Sequence, residues 1–324
     1  MIDSRVAIKI AYWYYIEGMT QEKISKKLGY SRQRVNKIVN SLVDMGVVSI
    51  VINGLEDENI QAENKIEQAF SLKQVIITNT DESERYFLPE LGKRAAQFLD
   101  DYIQDGKIIG LSWGNSLSET VRNMRSSTKS GCSIVQLVGG LNTSDQSIQA
   151  DEVVRVLSKK LGCECNILYA PAILDSVEVR NMLAQQDIFR KTFSLIQQCD
   201  IAIVGIGQVD ESATLITHGF LTNEDLQTMR RQNYVGDICF AHFKANGDFG
   251  DIDFSSRVMG IDIDTLRKIP AVVAIAGGMG KAEAVLGALN SGCVDILITD
   301  TSVANRLLES INNRPLEVTG SKDK

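Results

Sequence analysis

The sequence predicts an α/β chain in two parts, a small three-helix unit at the N-terminus and a large, Rossmann-like, doubly wound body. Three observations carry that expectation. Residues 1–53 show helical apolar spacing punctuated by Gly18, Gly29 and Gly46. From residue 73 onward, β-rich apolar runs alternate with helix-favouring stretches. The charge divides at nearly the same place: residues 1–54 hold eight Lys or Arg and four acids, near +4, so the remainder of a chain of net charge −7 is near −11.

A chain of 324 residues exceeds what one core usually holds, so two domains are expected. With 44% hydrophobic and 23% charged residues, disordered and collagen-like classes are excluded. The first apolar segment is interrupted by Arg5, Lys9 and Glu17 and does not read as a signal peptide. No run of about 18 apolar residues reads as a membrane span. The cysteines (Cys132, Cys163, Cys165, Cys199, Cys239, Cys293) form no CxxC pair and only two histidines are present. Reduced thiols in a cytoplasmic protein are therefore expected, with no metal, no cofactor and no membrane partner.

The head reads in order. Residues 4–17 carry Val6, Ile10, Trp13 and Tyr14 near helical spacing and stop at Gly18. Thr20 is a good N-cap for a second helix, QEKISKKL, with Gln21 at its start and Glu22 where the dipole favours an acid. Ile24 and Leu28 form its buried stripe, and Gly29 is placed to end it in a left-handed conformation. Ser31 caps a third helix over 32–45, whose Val35, Ile38, Val39 and Leu42 line one face while Arg32, Gln33, Asn36 and Lys37 line another. Long donors there, with Arg34 beside them, suit reading of double-stranded DNA in the major groove, where Arg pairs with guanine and Asn or Gln with adenine. DNA contact is expected through residues 20–41, with Thr20, Gln21 and Ser31 among the contacting residues. After Gly46, residues 47–53 (VVSIVIN) read as a strand, the wing of a winged helix-turn-helix.

Residues 54–72 are acidic and helix-favouring and read as a linker helix; a body over 73–315 and a polar tail over 316–324 follow. In the body the expected strands are QVIIT, KIIGLS, SIVQLV, NILYA, IAIVGIG, DICFAHF, AVVAIAG and DILIT, with helices among 86–103, 144–161 and 279–292. Nearly continuous apolar strands between helices imply a mainly parallel sheet covered on both faces. Ligands of such sheets bind beyond the carboxyl ends of the strands.

Three junctions there offer ligand chemistry. In the first, Ser112, Gly114, Asn115, Ser116 and Leu117 combine glycine-permitted approach with free N–H groups and hydroxyls, an anion site. The same stretch also fits a capping box between Ser116 and Glu119, and Trp113 fits a core position as well as a stacking one. In the second, Gly277, Gly278 and Gly280 precede Lys281 in the first turn of a helix, where the macrodipole disfavours a cation unless an anion is bound. The competing reading is a lysine reaching solvent beside Glu283. The third is Asp237, read in a glycine turn before a strand, as a hydroxyl acceptor or a turn former. Gly139, Gly140 and Asn142, with Gly205 and Gly207, either admit a ligand to the backbone or make tight turns.

The stretch YYIEGMTQEKISKKLGYSRQRVNKIVNSLVDMGVVSI resembles the head of the SorC family of sugar-responsive bacterial regulators. GLSWGNSL, VQLVGGLN, CDIAIVGIG, VGDICFAHFKANGD, GIDIDTLRKIPAVVAIAGGMGKAEAVLGALNSG and ILITD follow in the family's order, so the resemblance covers nearly the whole chain. Asn36 and Lys37 stand where Ser and Arg are usual, so the operator sequence is not readable. The resemblance implies an effector domain related to sugar-phosphate isomerases and CoA-transferases, a phosphorylated sugar or relative as effector, ligand contact by Lys281 and Asp237, and a tetramer. Some relatives hold an aldehyde through a lysine just before the first glycine pair; here that residue is Val138, and no Schiff base is expected there.

The sequence thus points to a DNA-binding regulator of a carbohydrate-utilisation operon rather than an enzyme, acting as a homo-oligomer, dimer or tetramer. Two alternatives stand beside it. An isomerase-like enzyme would draw on Asp237, Asp210, Glu211, His218 or His242, which form no recognised motif. A nicotinamide-dinucleotide sensor would use GIGQVD, which lacks the third glycine of its fingerprint.

Overall fold

In the computed structural model, the described residues are 3–50, 59–79, 87–140, 150–211, 216, 221–250 and 255–313. The chain divides into two units, 1–58 and 59–324.

In the first unit, local chemistry sets every boundary. Helix α1 (Ser4–Ala11) starts on Asp3, whose carboxylate accepts from the Arg5 N–H, and runs into a π-helical segment over Tyr12–Ile16. Thr20 caps α2 (Gln21–Leu28) by accepting from the Lys23 N–H, and Gly29 closes it at φ +69°. Ser31 caps α3 (Arg32–Ser41) through the Arg34 N–H. The third helix is therefore four residues shorter than the pattern suggests; turns carry the chain on to Gly46. Ala7, Ile10, Ala11, Ile24, Val35, Ile38, Val39 and Leu42 form the core. The expected wing is not a strand over 47–50, and residues 51–53 lie outside the described residues.

The second unit opens with α4 (Ile60–Phe70), drawn from the stretch read as a linker; residues 54–58 lie outside the described set. This helix buries Ile66 in the main core and guards a sheet edge. Glu67 accepts from the Val75 N–H and Glu63 from the Ile77 N–H, each at 2.8 Å, so carboxylates occupy edge donors of strand β1 (Gln74–Thr78).

The remaining strands are β2 (Ile108–Leu111), β3 (Ser133–Gln136), β4 (Glu164–Asn166), β5 (Ile201–Gly205), β6 (Gly207–Gln208), β7 (Tyr234–Ile238), β8 (Ala241–Lys244), β9 (Ala271–Ile275) and β10 (Ile296–Asp300). Seven are parallel in one sheet ordered β1-β10-β9-β5-β2-β3-β4, and β6-β7-β8 make a separate antiparallel sheet. The helices are α5 (Phe87–Tyr102), α6 (Asn115–Asn123), α7 (Ala150–Leu161), α8 (Val177–Ala184), α9 (Asp187–Gln197), α10 (Asn223–Arg231), α11 (Ile263–Leu266), α12 (Ala282–Asn290) and α13 (Thr301–Asn312). Two apolar clusters, one holding Val75, Val204 and Leu297 and the other Ile76, Ile203 and Ile298, take alternate residues of the same strands, the mark of a sheet buried on both faces.

Two expected strands differ. Of NILYA only Asn166 belongs to a strand. DICFAHF is not one strand but the tight turn of an antiparallel hairpin, with Cys239 at φ +52° and Phe240 at φ +67°. Both signs match a type I′ turn, which Asn-Gly usually supplies. Among the described residues no helix is long and apolar enough to cross a membrane.

Candidate functional site

Strand order reverses beside β2: β3 and β4 follow on one side, whereas β5 lies on the other. That switch point is where an open α/β sheet leaves a crevice at its carboxyl edge. Ser112, just past β2, bridges it by accepting from the Gly205 N–H at the end of β5, at 3.4 Å. A cavity of about 290 Å³ opens there.

The first wall is the β2–α6 junction, Ser112 to Leu117. The helix begins at Asn115 with Gly114 as N-cap at φ +142°, so no side chain caps its first turn. The capping box expected between Ser116 and Glu119 is not formed, because the helix starts one residue before Ser116. Ser116 lies buried against the cavity, and Trp113 lines it too, its ring 5.6 Å from that of Phe240. Trp113 is thus a cavity residue as well as a core one.

Asp237 sits on β7, not in a turn before a strand, because the glycine ahead of it, Gly236, is itself a strand residue. Its Oδ2 accepts from the Phe240 N–H at 3.1 Å and so braces the strained turn. A Cβ on Gly207, its register partner, would lie 1.9 Å from Asp237 Oδ1, so that glycine makes room for the carboxylate. Gly205 is more open, its nearest neighbour to an added Cβ being 3.9 Å away. Opposite Asp237 in register stands His242, only 2% exposed, with Nδ1 3.0 Å from the Phe240 carbonyl oxygen. Burial pushes the imidazole below its usual range, against the pull of Asp237, and keeps the ring neutral.

Lys281 lies in a 3₁₀ turn (Met279–Lys281) just before α12 rather than in that helix's first turn. Its Nζ points inward, donating to the Ile206 carbonyl at 2.9 Å, while Glu283 pairs with Arg306. Burial lowers the ammonium's pKa, and the carboxylates of Asp237 and Asp210 oppose that shift.

The structure thus gathers Ser112, Gly114, Asn115, Ser116, Leu117, Gly205, Gly207, Asp237 and Lys281 around one cavity, with Val138 on its wall. Gly139 and Gly140 are not among its lining. A Cβ on Gly139 would lie 2.6 Å from the Ala170 carbonyl oxygen, so this glycine serves chain packing. Asn142 and His218 lie outside the described residues. Sequence reasoning missed Gln208, Leu221, Leu226, Met229 and Phe240, which reach the cavity only through tertiary convergence, and named His242 only as a candidate of the enzyme alternative. The GIGQVD segment holds β6, and no helix begins within it, so the segment itself supplies no helix start for a pyrophosphate.

In the head, Arg32, Gln33, Asn36 and Lys37 are all exposed on α3. Asn36 Oδ1 accepts from Gln21 Nε2 at 3.1 Å, linking the start of α2 to the middle of α3. Arg34 is held over the Tyr30 ring at 4.0 Å, and Lys27 over Trp13 at 4.5 Å.

Residues 17–49 match the family described as "Winged helix-turn-helix DNA-binding", and residues 57–309 match "Putative sugar-binding domain". The sorbitol operon regulator of Klebsiella pneumoniae is 30% identical, over 95% of this chain and 98% of that protein. The deoxyribonucleoside regulator of Bacillus subtilis is 25% identical, over 95% and 98%. The crystal structure of full-length SorC from Klebsiella pneumoniae superposes with a TM-score of 0.73 at 29% identity, covering 94% of this chain and 98% of that one. A helix-turn-helix head, a parallel α/β body and matches spanning nearly the whole length lead to one conclusion: the chain belongs to the SorC family of sugar-binding transcriptional regulators.

Proposed function

We propose that the chain controls a carbohydrate-utilisation operon: α3 meets operator DNA, and the cavity beyond β2 and β5 takes a sugar phosphate or a closely related anion. The observation that carries the effector half is the first turn of α6. It has no side-chain cap and opens on a cavity that also holds Lys281 and Asp237. A helix start presents free N–H donors and partial positive charge, so an anionic group is its natural occupant. The donors of Ser112 to Leu117 hold the phosphate, Lys281 adds charge, and Asp237 accepts from hydroxyls. The names of the two relatives, a sorbitol operon and deoxyribonucleosides, support an effector among carbohydrates and their derivatives.

In the head, Arg32, Gln33 and Lys37 approach bases and phosphates, with Gln21 and Asn36 acting as a hydrogen-bonded pair. Thr20 and Ser31 serve as caps, and Arg34 steadies Tyr30. The protein works in the cytoplasm as a homo-oligomer, dimer or tetramer, with paired heads on half-sites about one helical turn apart. The effector shifts operator binding by favouring one arrangement of the heads over another, which requires different affinities for the two.

Asp237, His242 and Lys281 share the cavity, and such a set would also serve an isomerase. We read it as a binding set, since the relatives named above are regulators. Turnover of sugar phosphates by the intact protein would reverse that choice. The direct test is Lys281→Ala in a fluorescence-anisotropy assay on operator DNA. Effector potency should drop by about tenfold or more, as expected for a lost charge-assisted hydrogen bond, with effector-free DNA binding unchanged. An unaltered dose–response sinks the site.

A further inference from the structure

The polar face of α3 carries one side chain that the protein orients before any DNA arrives. Arg32, Gln33, Asn36 and Lys37 are all exposed there. Asn36 Oδ1 accepts from Gln21 Nε2 at 3.1 Å, a bond between two helices and across 15 residues of sequence. Among the described residues, Gln33 has no such brace. The backbone on each side of the bond is firmly held. Gln21 opens α2 directly after Thr20, whose hydroxyl accepts from the Lys23 N–H at 3.3 Å. Ile24 anchors that turn in the head's core, and Val35 and Ile38 anchor α3 beside Asn36.

Two amides joined in this way have a defined remainder. A carbonyl oxygen has two lone pairs and an amide nitrogen two N–H groups. With one lone pair spent on Gln21, Asn36 retains the other and both N–H groups of Nδ2, side by side in one plane. Gln21 retains one N–H, a donor of the kind that backbone phosphates accept. In the major groove adenine sets an acceptor, N7, beside a donor, N6–H, and so matches an amide's donor and acceptor together. Guanine shows two acceptors there, N7 and O6, one of which would face the Asn36 oxygen. An unbraced amide avoids that clash by rotating its oxygen away, since the last torsion of Asn is broad. The bond to Gln21 opposes that rotation.

We infer that Asn36 reads an adenine in the operator, and that Gln21 is the positioning residue that makes this reading selective against guanine. The inference rests on α3 being the operator-facing helix proposed above, and it names what one of its residues recognises.

Selection of duplexes from a random-sequence pool by the full-length protein tests it. Selected duplexes and their single-base-pair variants are then titrated by fluorescence anisotropy. The unmodified chain should favour A·T over G·C by about tenfold or more at one position of each half-site. Asn36→Ala should erase the preference at that position. Gln21→Ala should lower the same ratio by about fivefold, the worth of one lost hydrogen bond. Gln21→Glu has the same shape without the N–H. It should lower the ratio as well, while its charge weakens binding to every sequence. Each ratio compares two duplexes on one protein preparation, so partial unfolding does not move it. If no position answers to Asn36→Ala, or the one that does prefers G·C, the inference is overturned while α3 keeps its place on DNA. A ratio unmoved in both Gln21 variants overturns the positioning role. If the unmodified chain selects no sequence at all, the operator reading itself falls, and the inference with it.

Discussion

The junctions after β2 and after β9 look alike in sequence, strand then glycines then helix, yet the protein treats them in opposite ways. After β2, Gly114 starts α6 with no side-chain cap. After β9, the Gly278 N–H is taken by Asp300 at 2.5 Å, a carboxylate 0% exposed. The same carboxylate accepts from the Val303 N–H at 3.0 Å and the Ser302 hydroxyl at 2.6 Å. One junction leaves its helix start without a side-chain cap; the other carries its own carboxylate. The cause lies in the neighbouring strand ends. Strand β9 runs beside β10, which ends in Asp300, whereas β2 lies between strands ending in Gly205 and Gln136. A glycine-rich turn into a helix shows that an anion can be held there, and the adjacent strand decides whose.

The largest expected effect comes from emptying the filled junction. Asp300→Ala removes the cap of α13 and leaves the half-buried Gly278 N–H without its acceptor. Lost capping and an unsatisfied donor together should cost about 3 kcal/mol of unfolding free energy in urea titration. A loss under about 1 kcal/mol would mean that water or another group replaces the carboxylate, and the contrast between the junctions would weaken.

Filling the open junction is the complementary experiment. Ser116→Asp places a carboxylate in the first turn of α6, where the helix dipole favours it by about 0.3–1 kcal/mol. The new charge competes for the donors proposed to hold phosphate. Affinity for sugar phosphates should fall by about tenfold or more, while operator DNA still binds. Retained phosphate affinity in a folded variant would move the anion away from this helix.

Lys281 gives a pH test of the same contrast. Burial holds its pKa below the ordinary 10.5 in the free protein, and a bound anion would raise it. Binding is then coupled to proton uptake between those two values, so effector affinity should decline as pH rises through the lowered pKa. Calorimetry in buffers of different ionisation enthalpy reads this proton uptake. Lys281→Ala should abolish it; an identical alkaline slope in that variant would assign the proton to another group.

Much of the head was legible because its signals are local. Thr20, Ser31 and Gly29 act within four residues of themselves, and the expected caps form. The apolar runs of β1, β5, β9 and β10 were equally readable, since a strand buried on both faces leaves little room for other residues. The hairpin at Cys239 and Phe240 was not, because its positive-φ turn lacks the Asn or Gly that announces one. The α10 side of the cavity was hidden for a different reason. Leu226 and Met229 have the spacing of ordinary core residues, and only the return of β7 brings α10 to the crevice. Asp300 and Gly278 are 22 residues apart, so the built-in anion of the β9 junction carries no sequence signature at all.

The junction after β3 offers the finest test, because its two glycines separate packing from ligand contact. Gly139 donates to the Met259 carbonyl at 2.8 Å and has no room for a methyl group against the Ala170 carbonyl. An added Cβ on Gly140 meets no described atom within 4 Å, and its φ is not among the positive ones. An alanine there therefore adds neither a clash nor backbone strain. Gly140→Ala should change unfolding free energy by no more than about 0.5 kcal/mol and leave effector affinity where it was. If that variant melted normally yet lost its effector, the ligand would have to extend past Val138 toward β3, and the open junction would include a third loop.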